Sequence, residues 1–169
     1  MLATTAEKCR FQVVRTRRSS LSLATPDAPS GRDVDTGPAL MTLCAITLDC
    51  ADPLALAAFY AKTTMLSDVD GSDDAFAGLR GPDGLFLGFQ RVVGYQAPQW
   101  PGQQEPQQAH LDFEVDDLDL AEAAVLQLGA CKPAEQPDSD TFRVLTDPAG
   151  HPFCLTSSRT VRKRPDVRV

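Results

Sequence analysis

Ala109-His110-Leu111-Asp112-Phe113-Glu114-Val115-Asp116 is the stretch whose reading decides the fold. Leu111, Phe113 and Val115 alternate with His110, Asp112 and Glu114, the period-two pattern of a strand with one apolar and one polar face. Asp117–Gly129 follows directly and has the pattern of an amphipathic helix, with Leu118, Leu120, Val125, Leu126 and Leu128 as its apolar set. The strand should therefore press its apolar face on that helix. Its other face carries an imidazole and two carboxylates. If that face lines a concavity it is the functional face; if it meets bulk water it is a solvated sheet surface of the kind antiparallel sheets commonly carry.

Working outward, the same pattern is found upstream. Leu43–Cys50 has strand character, and Asp52-Pro53 offers an N-cap followed by proline at the first helical position. Leu54, Leu56, Ala57, Phe59 and Tyr60 carry that helix to about Thr63. Short strands are expected at Leu66–Asp70, Ala75–Leu79 and Leu85–Val93, with turns at Gly71, Gly81 and Pro82-Asp83-Gly84. Gly94–Gln108, rich in Pro and Gln and carrying Tyr95 and Trp100, is expected to be a linker or mobile loop. Downstream of the second helix, strands are expected to start at Gly129-Ala130-Cys131-Lys132 and to cover Thr141–Thr146 and Pro152–Thr156, with Asp147-Pro148-Ala149-Gly150 as a structural turn. The chain thus spells βαβββ twice, about 65 residues apart. The predicted class is α+β. One domain spans 41–157, with modules at 41–93 and 109–157 joined by the linker 94–108.

Residues 1–40 differ. They hold Arg15, Arg17 and Arg18, a serine run and three prolines, with only Phe11–Val14 to bury. A disordered arm is expected, with an over-extended start upstream of Met41 as an alternative and a targeting peptide disfavoured by Glu7 and the lack of a long apolar core. Arg159–Val169 is expected to be a charged tail. The charge is split: 1–40 holds six Lys/Arg and four Asp/Glu, while 41–169 holds ten and nineteen. An acidic domain repels phosphate backbones, so nucleic acid is not an expected partner. No apolar run reaches the roughly 20 residues of a membrane-spanning helix. Five cysteines without a C-x-x-C pair imply neither a zinc ribbon nor a disulfide framework; they suit reduced thiols in the cytoplasm.

Asp49-Cys50-Ala51-Asp52-Pro53 with Phe59-Tyr60, then His110-Leu111-Asp112 with its helix and Leu128-Gly129-Ala130, then Asp147-Pro148-Ala149-Gly150-His151-Pro152-Phe153 resemble, in this order, the glyoxalase-like branch of the vicinal oxygen chelate superfamily. Glyoxalase, bleomycin-resistance and extradiol-dioxygenase domains belong to that group. The resemblance covers about 41–157. It implies paired βαβββ modules forming a curved mixed sheet around a cleft, commonly in homodimers, and so turns the polar strand face into a cavity.

The resemblance also implies where a metal would be held. Metal-dependent relatives use four strand residues, two per module, and the matching positions here are Ala45, Gly88, His110 and Cys154. Alanine and glycine offer no donor, Gln90 is a poor substitute for Gly88, and a two-histidine, one-carboxylate set would have to recruit His151. No bound metal and no cofactor are expected. The candidate acid–base groups are His110, Asp112 and Glu114. Crowded carboxylates raise one another's pKa and keep a nearby histidine protonated. Asp49, Gln90 and Trp100 join those three as candidate ligand contacts, and Cys154 is not assigned catalysis. The structural alternative pairs Asp112 and Glu114 with Arg143 and Arg91. Three functions follow: a metal-free binding protein that sequesters a cationic or planar small molecule as bleomycin-resistance proteins do; a lyase or isomerase using His110 with Asp112 or Glu114; and an association subunit.

Because residues 1–40 offer so little to bury, a chain started at Met41 should melt at the same temperature as the full chain and keep its oligomeric state. Thermal denaturation and light scattering test this. A melting point many degrees lower would make the arm part of the fold.

Overall fold

The computed structural model describes residues 41–158; the predicted arm 1–40 and the tail from Arg159 lie outside the described residues. Nine elements follow in chain order: β1 (Ala45–Cys50), α1 (Pro53–Thr63), β2 (Ser67–Asp68), β3 (Phe76–Arg80), β4 (Phe86–Arg91), β5 (Leu111–Val115), α2 (Leu118–Gln127), β6 (Phe142–Thr146) and β7 (Pro152–Ser157). Both helix starts obey the local chemistry. The Asp52 carboxylate accepts from Ala55 N–H at 3.1 Å ahead of Pro53, and Asp117 accepts from Asp119 and Leu120 N–H at 2.9 and 3.0 Å. Each cap satisfies helix-start donors that have no partner within the helix.

The mixed α+β architecture carries its strands in two sheets. In the first, β1 runs parallel to β4, β3 antiparallel to β4, and β2 pairs with β3 at the edge. In the second, β5 runs parallel to β7 and β6 antiparallel to β7. The strand expected near Cys131 is reduced to a single bridge between Cys131 and Thr146. The cause is local: Pro133 follows two residues later, and a proline has no N–H for the ladder.

The apolar faces of both sheets meet α1. Tyr60 stacks on Phe89 of β4 at 5.5 Å between ring centroids and lies 6.0 Å from Phe113 of β5. Phe113 in turn meets Phe153 of β7 edge-on at 5.9 Å, and Phe59 lies 6.2 Å from Phe153. One aromatic cluster therefore joins the two βαβββ units. This changes one expectation. Phe113 makes its ring contacts with α1 and β7, whereas α2 buries only Val125 and leaves Leu120 72% exposed.

On the opposite face of the first sheet, Phe76 and Phe86 stack at 6.2 Å over paired glycines, Gly78 and Gly88. A Cβ on Gly88 would lie 2.8 Å from Phe76 Cζ and 3.0 Å from Thr47 Oγ1. Glycine there is what lets the rings lie flat on the strands.

Three substitutions test the packing by chemical denaturation. Phe153→Ala, which empties a fully buried ring site, should cost about 3–5 kcal/mol, and the half-buried Phe113→Ala should cost less. Gly88→Ala should cost about 1–3 kcal/mol by overpacking. A neutral Gly88→Ala would show that the rings move aside freely.

Candidate functional site

The alternation along β5 is realised in three dimensions. Leu111, Phe113 and Val115 pack against the core, while Asp112 and Glu114 are exposed on the other face. His110 immediately precedes the strand, and its Nε2 lies 3.7 Å from Asp112 Oδ2. Across the sheet, Asp112 faces Cys154 of β7, and Cys154 faces Val144 of β6. His110, Asp112 and Cys154 can each offer one donor atom such that all three atoms lie within 4.8 Å of one another. Cys154 is buried, and the other two are exposed.

Beside this trio lies a cavity of about 260 Å³, lined by Trp100, Gln107, His110, Phe142, Val144 and Cys154 among others. It is apolar on the β6–β7 side and capped by the Gln-rich loop. Gln107 Oε1 is buried with no hydrogen-bond partner. A buried, unsatisfied polar group costs about 1–3 kcal/mol, so this oxygen marks a place where something polar belongs.

The other sequence-based candidates lie elsewhere. Glu114 is exposed one step further along β5, opposite Thr156. Asp49 and Gln90 face each other across β1 and β4 on the first sheet, both exposed. The structure thus brings His110 and Trp100 round one hollow, sets Asp112 beside it through His110, and leaves Asp49, Gln90 and Glu114 outside its lining. The arginine pairing of the structural alternative is overturned. Arg143 binds Asp119 at 2.6 Å and Glu122 at 2.8 Å, fastening α2 to β6, and Arg91 binds Asp74 at 3.1 Å.

The four positions of the superfamily's metal centre do not fit a metal here. The side-chain space at Gly88 is filled by Phe76, Phe86 and Thr47, and Ala45 contributes no donor. His151 is also committed. Its Nδ1 lies 3.0 Å from Asp147 Oδ2 and its Nε2 3.0 Å from Tyr95 Oη.

Asp147 itself is more than a turn residue. Its carboxylate, 3% exposed, accepts from Ala149 N–H, His151 N–H and Tyr60 O–H at 2.9, 3.0 and 2.9 Å. Burial first, and the Asp147 charge second, push the Tyr60 phenol far above its ordinary pKa and the Tyr95 phenol up to about 12. Neither Gln107 nor this network was singled out from sequence. Gln107 is one of several glutamines in an irregular loop, and the Asp147 partners are distant in the chain.

Comparison with known proteins agrees with the fold. Residues 45–156 match the family model of the glyoxalase-like domain, and the chain belongs to that family. No curated protein matches it in sequence. Its fold resembles a possible glyoxalase from Bacillus cereus, at 21% identity and a TM-score of 0.53, over 69% of this chain and 98% of that one. A glyoxalase/bleomycin resistance protein/dioxygenase family enzyme from Burkholderia phytofirmans aligns at 17% identity and 0.53, over 69% and 98%. The trypanothione-dependent glyoxalase I of Leishmania major aligns at 15% identity and 0.53, over 73% and 91%. At such identities the likeness concerns the fold. Among the described residues no helix is long and apolar enough to cross a membrane.

The tyrosine network yields a pH prediction. Tyr60 and Tyr95 are the chain's two tyrosines. A phenol whose folded pKa is raised above the unfolded value of about 10 leaves stability intact below that pH. Above it the unfolded chain ionises first, and stability falls as pH climbs towards about 12. A spectrophotometric titration of the native protein should therefore show no tyrosinate near pH 10, and Tyr95→Phe should flatten the alkaline loss of stability. A half-amplitude tyrosinate signal near pH 10 in folded protein would contradict this.

Proposed function

We propose that this chain is a small-molecule-binding member of the glyoxalase-like family that takes up a planar or cationic ligand and does without the superfamily's four-donor metal centre. The observation that carries the reading is the hollow beside β5. An indole, a histidine and an unpartnered amide oxygen border it on one side, and aliphatic and aromatic side chains border it on the other. That mixture of mostly apolar walls and a few placed polar groups suits ligand capture. Trp100 supplies a stacking face, and Asp112, reached through His110, supplies negative charge at the mouth. Asp49, Gln90 and Glu114 extend the acidic, polar surface beyond the hollow. The reading includes a homodimer and a cytoplasmic location, the latter because the described cysteines form no disulfide.

The lyase or isomerase reading rests on the His110–Asp112 pair as acid and base. The pair is 3.7 Å apart with side chains 40% and 53% exposed. Among the described residues no further hydrogen bond orients either one. A general base normally has a third group that holds it in place, so binding is the better-supported function.

Trp100 is the chain's single tryptophan, and its fluorescence reports on the hollow directly. Chelator-treated protein titrated with planar cations, metal-free bleomycin among them, should show saturable quenching with one site per chain. By calorimetry, Asp112→Asn should weaken the cationic hits about fivefold, the upper end of an exposed ion pair's worth. Binding of every hit unaltered in Asp112→Asn and Trp100→Phe would refute the assignment.

A further inference from the structure

We infer that the groove between α1 and α2 is the docking site of this chain's own basic C-terminal segment, residues 159–169. This goes beyond the ligand-binding reading and does not rest on it. α1 packs on β3 and β4, and α2 on β7 and β6, so the two helices leave a gap between them. The gap holds about 550 Å³, with Phe113, Phe153 and Leu155 as its floor and Met65, Ala124 and Leu128 at its borders. Phe153 and Leu155 share one face of β7, while Cys154 of the hollow takes the other. Groove and hollow therefore lie on opposite sides of the second sheet.

Among the described residues no segment covers this groove. Leu120, Ala124 and Leu128 are spaced four apart, which puts them on one stripe of α2, and all three are exposed. Met65, just past the end of α1, is 86% exposed. A single exposed leucine needs no explanation, but an apolar stripe running beside an apolar groove marks a contact surface.

Two observations name the occupant. The first is where the chain leaves the fold. β7 ends at Ser157, which pairs with Val115, and Val115 lines the groove, so the segment starts at the groove's edge. α2, with 10 residues, is about 15 Å long. The 11 residues from Arg159 to Val169 span at most roughly 36–40 Å, so reach is ample. The second observation is charge. Residues 159–169 hold five Lys/Arg and one Asp, whereas residues 41–158 hold five Lys/Arg and eighteen Asp/Glu. Exposed acids flank the exit. Asp116 and Asp117 follow Val115, and Asp140 precedes Thr141, whose carbonyl accepts from Ser157 N–H at 3.2 Å. Val161 supplies an apolar side chain for the groove, and Arg162-Lys163-Arg164 supplies the charge for its acidic end. A segment tethered this closely acts at an effective concentration on the order of mM, so a weak contact is enough to fill the site.

The test treats the full chain, as an equal mixture of ¹⁴N- and ¹⁵N-labelled protein, with a water-soluble carbodiimide that joins an amine to a touching carboxylate. Peptide mass spectrometry then reads the links. Lys132 and Glu122, 2.9 Å apart, are the internal control for a folded chain. Lys163, the segment's single lysine, should link to Asp116, Asp117 or Asp140 within chains of one isotope, at a yield comparable to the control. Salt at about 1 M, where the screening length is roughly 3 Å, should lower that yield. Val161→Asn, in the segment, and Leu128→Gln, at an exposed groove position, should each lower it severalfold and leave the control link unchanged. Three results overturn the assignment: no Lys163 link beside an intact control, links mainly between isotopes, which would give the groove to a second copy, or a yield unchanged in Val161→Asn or in Leu128→Gln.

Discussion

The buried carboxylate of Asp147 ties the two modules together. A charge taken out of water is tolerable only when its lone pairs are filled by donors. Two of those donors are backbone N–H groups of its own turn, at Ala149 and His151, which fix the approach to β7. A third is the Tyr60 hydroxyl, from the helix of the first module. The fourth contact is the imidazole of His151, whose other nitrogen meets Tyr95 of the inter-module loop. One side chain thereby fixes a helix, a turn and a loop relative to one another. The aromatic cluster of Phe59, Tyr60, Phe89, Phe113 and Phe153 then packs around Tyr60 in a defined orientation. A tyrosine and not a phenylalanine is needed at that position because the carboxylate would otherwise lose a donor.

The two modules repeat one topology but have opposite chemistry on the face away from the helices. In the first, Phe76 and Phe86 lie flat over Gly78 and Gly88, and Arg80 is set over the Phe86 ring at 5.2 Å. The rings cover the middle of that face, and Asp49 and Gln90 stand exposed beyond them. In the second, β5 and β7 keep His110, Asp112 and Cys154 on that face. The difference begins with side-chain size: two glycines in register make room for rings, and their absence from β5 and β7 leaves polar groups standing. The grouped His, Asp and Cys side chains therefore lie on the second module. The fold's own relatives at 15–21% identity fix the architecture and leave that asymmetry to the residues of this chain.

Local order in the sequence was enough to place most elements. Asp52-Pro53 and Asp117 announce their helices because a cap is a contact between residues two or three apart. Leu111, Phe113 and Val115 announce a strand face because the pleat has period two. The repeat of the pattern, with Asp147-Pro148-Ala149-Gly150, was enough to indicate the family. Boundaries were less legible. The strand at Cys131 shrank to one bridge, and Leu120 proved exposed, because neither pairing partners nor helix rotation is written in a single segment.

What tertiary structure alone decided is everything that depends on residues far apart in the chain. Asp112 and Cys154 lie 42 positions apart and meet only because β5 and β7 are parallel neighbours. Tyr60 and Asp147 are 87 apart. Gln107 becomes notable only when the loop folds over the second sheet and buries its oxygen. The sequence by itself determined helices, strand faces and family, which rest on contacts within a few residues. The site's membership was decided by strand register and burial, and these are properties of the folded chain.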